Sequence, residues 1–246
     1  MLRFTARTHP GFIREKNEDR FYVPTEGGPY IFAVADGMGG HAAGEVASSL
    51  SVKTLDTNIS MVSEKLNHSD LAYMQNFIED CILEANKQIL VVQDEQPDLK
   101  GMGTTFTVAV FFNNEMLVGH IGDSQAYIFH ESAYSQITED HSLVTELVKN
   151  GEIKPEEVYN HPQRHLLTRA LGTAPLLKTD FYVTPIQPGD YVLLCTDGLT
   201  TMLKPAEIQE SIINGADLET TADQLLKKAN DLGGSDNITF VLIHII

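Results

Sequence analysis

An α+β fold, built on two packed, mainly antiparallel sheets with helices outside, is what this chain of 246 residues predicts. Three observations carry that reading. About ten short apolar runs are bounded by turn residues, more strands than one twisted open sheet holds comfortably. Helical stretches come in clusters and do not alternate strictly with strands, which argues against a doubly wound parallel sheet. The strand count also favours one domain over 1–246 rather than two small ones.

The elements follow in order. Strands are expected at 2–8, 20–23 and 30–35, each an apolar or β-branched run. Ala43, Ala47, Leu50 and Thr54 then share one helical face. Leu71, Met74, Ile78, Cys81, Ala85 and Ile89 recur every three or four residues and mark a longer helix. Strands at 104–112 and 116–121 flank Asn113-Asn114, a tight hairpin signal. Further strands are expected at 126–130 and 134–137, then a helix from Ser142 to Lys149 that stops at Asn150-Gly151. Residues 150–162 are charged and proline-punctuated and read as a surface insertion. Strands at 178–185 and 191–196 follow. Pro205 opens a short helix, and Leu218, Ala222, Leu225, Ala229 and Leu232 line another that Gly233-Gly234 ends. The last strand is 238–245.

Composition excludes several function classes. A formal net charge of −17 with no basic run disfavours nucleic acid and anionic lipid as partners. No stretch approaches the roughly 18 uninterrupted apolar residues of a membrane span, and residues 1–7 lack the apolar core of a secretory signal. Cys81 and Cys195 lie inside apolar patterns and read as buried free thiols. A cytoplasmic protein is expected.

The chemistry lies in acidic signals at the edges of apolar runs. Glu18-Asp19 precedes Phe21-Tyr22-Val23, Asp36-Gly37 ends the run at 30–35, Asp197-Gly198 ends 191–196, and Asp236-Asn237 opens the last run. A buried run that stops at a carboxylate delivers an acid to a sheet rim. Several rims meeting would form an oxygen-rich pocket for hard cations such as Mg²⁺ or Mn²⁺. Asp-Gly is also ordinary turn chemistry, as are the settings of Asp123 in Gly122-Asp123-Ser124 and of Asp236. Its recurrence after two continuously apolar runs favours the rim. Clustered carboxylates repel one another unless cations satisfy them. Two ions about 3.5–4 Å apart can bridge a water and present hydroxide to phosphorus or a carbonyl. Arg14 offers a planar, bidentate donor suited to phosphate, with an ion pair to Glu15 or Glu18 as its alternative.

At these residues the sequence resembles a family. Arg14-x-x-Asn17-Glu18-Asp19, Asp36-Gly37-Met38-Gly39-Gly40-His41, Gly103-Thr104-Thr105, Gly122-Asp123-Ser124, Asp140-His141-Ser142, Leu167-Thr168-Arg169-Ala170-Leu171-Gly172, Thr196-Asp197-Gly198 and Gly234-Ser235-Asp236-Asn237 stand in one order. That order is similar to the metal-dependent serine/threonine protein phosphatases of type 2C, bacterial branch. The resemblance implies a four-layer α/β/β/α sandwich and a catalytic domain spanning the chain, with a flap-like insertion at about 145–166. It implies two core Mn²⁺ or Mg²⁺ ions and a third, weaker one. Asp36 would bridge the core ions and the Gly37 carbonyl would ligate one. Asp197 and Asp236 would hold the first ion, Glu18 would ligate directly or through water, and Asp19 would sit beside the site. Asp123 would bind the third ion with Asp197, Asn237 would support the acids, and Arg14 would hold the substrate phosphate. A metal-bridging hydroxide would attack phosphoserine or phosphothreonine, in a monomer acting on a serine/threonine kinase and its substrates. Met38 stands where many eukaryotic members carry a proton-donating histidine. His41 is the nearby candidate for that role, with a helix-start or packing role as its alternative. A non-catalytic module and a two-metal diesterase are the rival readings.

Overall fold

Alternation inside the apolar runs decides the layering. In the third strand Ile31, Ala33 and Ala35 face one buried cluster while Phe32 and Val34 face another, as the two-residue period of a strand requires. The computed structural model describes residues 1–39, 43–66, 70–131 and 133–246, without the side chains of 63–65 and 159. Its elements are β1 (Leu2–His9), β2 (Arg20–Tyr22), β3 (Ile31–Ala35), β4 (Gly37–Met38), α1 (Ala43–Leu66), α2 (Leu71–Glu95), β5 (Gly103–Thr104), β6 (Phe106–Phe112) and β7 (Glu115–Ile121). They continue with β8 (Gln125–Phe129), β9 (Tyr134–Gln136), α3 (Leu143–Lys149), β10 (Asp180–Pro185), β11 (Tyr191–Cys195), α4 (Asp197–Thr200), α5 (Pro205–Ile213), α6 (Leu218–Asp231) and β12 (Ile238–Ile245).

Two five-stranded antiparallel sheets form, β1-β12-β11-β8-β9 and β10-β7-β6-β3-β2, with β4-β5 as a separate pair. Phe32, Val34, Ala109, Val118, Ile128, Val192, Val241 and Ile243 fill the space between the sheets. Phe32 is fully buried there, edge-on to Phe4 at 5.0 Å and to Phe111 at 5.5 Å. Burying such a ring stabilises by about 1.5–3 kcal/mol. The opposite faces carry helices. Leu55, Ile59, Ile78, Ile82 and Ile89 cover Phe106, Val108 and Val110, while Leu199, Ile208, Ala222 and Leu225 cover Leu193, Phe240 and Leu242. The expected α/β/β/α sandwich is therefore observed. Cys81 and Cys195 are buried free thiols, and burial pushes the Cys81 thiol up to about 12.

Two expected elements differ in extent, and β4 and α4 are short elements that the sequence did not announce. The first helix runs well past Thr54, because Leu55 and Ile59 prolong its buried face, and after a kink at Val62 (φ −129°, ψ 15°) a last turn ends at the buried Leu66. The run expected as a single strand at 104–112 breaks at Thr105. β5 pairs with β4 (Gly37↔Thr104), outside the main sheet, and β6 begins at Phe106. Asn113 and Asn114 take positive φ values of 44° and 64°, the hairpin turn anticipated between β6 and β7. The surface insertion contains α3, capped by Ser142, and a 3-10 turn, Pro155–Asn160, before the chain returns to β10.

That return is anchored at Asp180, whose Oδ2 accepts from Arg169 Nη2 at 2.9 Å and from His141 Nε2 at 3.1 Å. Burial alone would raise the Asp180 carboxyl, but the hydrogen bonds from Arg169 and His141 override it and hold it at about 2. A folded pKa below the unfolded value of about 3.9 means stability that is present above pH 4 and lost as pH falls toward 2. Melting curves should therefore show Asp180→Asn less stable than the parent at pH 6, with the gap narrowing from pH 4 to pH 2. A gap that stays constant over that range would refute the assignment.

Candidate active site

Strand register brings the predicted acids to one end of both sheets. Arg20 pairs with Ala35, so Glu18 and Asp19 lie beside Asp36. Phe106 pairs with Ile121, which puts Thr105 beside Gly122-Asp123. In the other sheet Cys195 pairs with Phe240 and His9 with Ile238, so Asp197, Asp236 and the 10–19 loop meet. Thr196 joins the two sheets: its Oγ1 donates to Asp19 Oδ2 at 2.8 Å.

The result is a cleft of about 890 Å³ lined by Arg14, Glu18, Asp36, Gly37, Asp123, Asp197, Asp236 and Asn237. Nine of the ten residues singled out in the sequence are thus described, with Asp19 buried just behind the cleft. His41 lies outside the described residues. Arg14 pairs with neither Glu15 nor Glu18. Its Nη2 donates to Asp236 Oδ2 at 2.8 Å, and Asp236 Oδ1 accepts from the Asn237 N–H.

Local chemistry fixes each acid. The Asp36 N–H donates to Thr105 Oγ1 at 2.9 Å, and its carbonyl accepts from Thr104 Oγ1 and the Thr105 N–H. The break at Thr105 therefore has a use: it frees two residues to hold the Asp36 backbone. Asn237 stitches three segments together. Its Oδ1 accepts from the Glu18 N–H at 2.8 Å, and its Nδ2 donates to the carbonyls of Pro10 and Lys16 at 3.0 and 2.8 Å. Gly37 and Gly44 lie so close that a Cβ on Gly37 would sit 2.2 Å from the Gly44 carbonyl oxygen.

The electrostatics suit cations. Burial, then the charges of Asp19, Asp197, Asp123 and Asp236, pushes the Asp36 carboxyl well above the carboxylate range. Burial followed by Asp197 and Asp140 does the same for Asp123, and burial followed by Asp236 raises Asp197. Burial holds Asp19 at about 7, and its Oδ1 has no hydrogen-bond partner among the described residues. An orphaned carboxylate oxygen beside mutually repelling acids fits a hard divalent ion with oxygen ligands. Among the described residues no three acidic, His or Cys side chains are drawn up as a ready-made metal-holding group. An ion here would draw on water and backbone oxygen as well as carboxylates, the habit of Mg²⁺ and of the similarly hard Mn²⁺.

Arg164, His165, Thr201 and Ser235 also line the cleft, and sequence reasoning assigned them no role. Nor was a role assigned to Asp140, outside the cleft lining, whose carboxyl burial raises to about 6 despite hydrogen bonds from Gln125 and Gln136 at 2.8 Å each. Only its place in the Asp140-His141-Ser142 motif signalled it.

The family described as protein phosphatase 2C matches residues 14–233. A serine/threonine phosphatase of Listeria innocua is 40% identical, covering 97% of this chain and 94% of that protein. The solved serine/threonine phosphatase of S. agalactiae superposes with a TM-score of 0.93 at 32% identity, covering each chain completely. The catalytic domain of the phosphatase PstP, solved with two manganese ions, superposes at 0.86 with 34% identity over 100% of this chain and 98% of that one. By its matched residues, its acid-lined cleft and its layered sheets, the chain belongs to the protein phosphatase 2C family.

Proposed function

We propose that this protein hydrolyses phosphoserine and phosphothreonine monoesters in other proteins with the aid of divalent cations, Mn²⁺ or Mg²⁺, in the cleft. The observation that carries the reading is the convergence of Asp36, Asp123, Asp197 and Asp236 from different strand ends on one cleft that Arg14 also lines. Asp36 and the Gly37 carbonyl would hold the core ions. Asp197 and Asp236 would hold the first ion, and Glu18 would ligate directly or through water. Asp123 would join Asp197 in holding a third, weaker ion. Asp19 backs the site, and Asn237 keeps the 10–19 loop against Asp236. Bound ions supply charge neutralisation for the phosphoryl group and acidify the attacking water. Arg14, fixed by Asp236, presents its remaining donors to the phosphate oxygens. No cysteine lines the cleft among the described residues, and none is needed as a nucleophile.

The domain spans 1–246 with 145–166 as its flap-like insertion, and it acts as a monomer. Among the described residues no helix is long and apolar enough to cross a membrane. The two buried free thiols favour a reducing cytoplasm. The partners are a serine/threonine kinase and the proteins it phosphorylates, which gives the enzyme its place in signalling. A module that only bound a partner would have no need of Asp36, Asp123, Asp197 and Asp236, and this chain keeps all four at the cleft.

Hydrolysis of a phosphothreonine peptide with Mn²⁺, then with excess chelator, tests the reading. Turnover is expected with Mn²⁺ and should vanish with chelator. Full activity in chelator would overturn it. Calorimetric Mn²⁺ binding without turnover would favour the non-catalytic module, and faster cleavage of a phosphodiester would favour the diesterase.

A further inference from the structure

Behind Asp123 lies a buried polar assembly that the reaction itself does not use. The Gly122-Asp123 turn closes β7, and Gly122 has φ +113° with Thr105 side-chain carbons only 2.5 Å from where a Cβ would sit. His141 grips this turn twice. Its backbone N–H donates to the Gly122 carbonyl at 2.7 Å, and the Gly122 N–H donates to His141 Nδ1 at 3.1 Å. The residue is 2% exposed.

The direction of the second bond fixes the tautomer. Nδ1 accepts, so it carries no proton, and a neutral imidazole then carries its proton on Nε2. Nε2 lies 3.1 Å from Asp180 Oδ2, and Arg169 Nη2 holds the same oxygen at 2.9 Å. An ionised Asp180 is acceptor-only, so it enforces the Nε2–H form. Lys178 Nζ, 3.8 Å from Asp180 Oδ1, adds to that ionisation. On its other side the His141 ring packs against His120, centroid to centroid 4.7 Å, itself held by Thr107 Oγ1 and the Glu139 carbonyl. Burial lowers the basicity of both rings, His120 to about 3.

We propose that His141 is a positioning residue that sets the aim of the Asp123 carboxylate, with Asp180 and Arg169 holding its imidazole in the Nε2–H tautomer. The inference rests on Asp123 being an ion-binding acid, as argued above. It also joins the insertion to the site. The His141 carbonyl accepts from the Thr168 N–H at 2.8 Å, and the adjacent Ser142 caps α3. One histidine thus ties both roots of the segment between 142 and 168 to the turn that carries Asp123. Partners of this kind behind metal-binding acids typically change metal affinity by about 10–100-fold.

Two substitutions separate positioning from mere packing, because each keeps a different half of the imidazole. In His141→Asn the amide oxygen stands near the place of Nδ1 and still accepts from Gly122. In His141→Gln the amide nitrogen stands near the place of Nε2 and still donates to Asp180, but the Gly122 acceptor is gone. Titration calorimetry with Mn²⁺ on the full chain reads the outcome, with Asp123→Ala as reference. Asp123→Ala should abolish or weaken the weakest Mn²⁺ step. His141→Gln should weaken the same step by about tenfold, and His141→Asn by less than about twofold, even where the two melt at similar temperatures. Equal Mn²⁺ affinities in the two histidine variants would overturn the positioning role while leaving Asp123 in place. An unaltered titration in Asp123→Ala would remove its foundation. The parent protein gives an independent reading if a variant fails to fold. Nitrogen-15 NMR near neutral pH should show His141 as the neutral Nε2–H tautomer, and an Nδ1–H tautomer or an imidazolium there would overturn the proposal.

Discussion

Asparagine in place of Asp36 is expected to cut kcat/KM on a phosphothreonine peptide by about a thousandfold or more at saturating Mn²⁺. It should also make the metal-free protein melt a few degrees higher. Both effects follow from the same geometry. The Asp36 backbone is held by Thr104 and Thr105, not by its own carboxylate, so asparagine takes the same place. The carboxylate stands in a cleft where burial and four neighbouring acids oppose its charge. Neutralising it relieves that repulsion, about 1 kcal/mol, which for a chain of this length is about 2–4 °C in Tm. The charge that weakens the empty fold is the one that draws cations to the cleft, a trade of stability for activity familiar at functional sites. Melting in chelator and in Mn²⁺, alongside the peptide assay, checks the pair. The parent should gain stability on adding Mn²⁺ and the variant much less. A variant that melts below the parent in chelator, or that keeps the full Mn²⁺-induced rise, would show that Asp36 is not the acid the cations need.

How far the sequence could be read depends on whether a feature is local or set by pairing across the chain. The layers were legible because about ten short apolar runs are too many for one open sheet, and runs apolar throughout, such as Ile31–Ala35 and Tyr191–Cys195, read as strands buried on both faces. The acids Asp36 and Asp197 were legible because each ends such a run. The break at Thr105 was not. Thr104 and Thr105 are both β-branched and read as a continuous strand, and only the pairing of β4 with β5 and the bonds to Asp36 separate them. The partner of Arg14 was equally hidden. Asp236 is 222 positions away and becomes a neighbour only when β1 pairs with β12. Asn237 and His141 were visible as motif letters, but their work consists of hydrogen bonds to backbone atoms of distant loops. No periodicity records those. The stretch that continues the first helix from Thr54 to the kink at Val62 is marked by Leu55 and Ile59 alone, a face too sparse to announce itself without the sheet it covers.

Gly198→Ala is expected to destabilise the protein by about 3 kcal/mol or more and to lower kcat/KM by about a hundredfold. Nothing about the helix favours that outcome. Gly198 lies in α4, and alanine is the better helix former by about 1 kcal/mol. The obstacle is steric: a Cβ there would stand 1.9 Å from the Asn237 carbonyl oxygen and 2.9 Å from its carbon. Backbone would have to move by about 1.5 Å or more to reach ordinary contact. The Asn237 segment cannot yield cheaply, because its side chain bonds Glu18, Pro10 and Lys16 and its neighbour Asp236 holds Arg14. Gly198 follows Asp197 directly, so whichever side gives way, Asp197 and Asp236 are driven apart. A shift of that size between groups that must grip one ion costs far more in rate than in fold. Gly189→Ala supplies the contrast. Gly189 has φ +98° with nothing within 4 Å of a new Cβ, so alanine there costs about 1–2 kcal/mol of backbone strain and leaves kcat/KM unchanged. Thermal melting and peptide kinetics on the two variants decide the matter. If Gly198→Ala matches Gly189→Ala in activity, the close approach of α4 to the 236–237 turn is packing alone and does not set the spacing of the two acids.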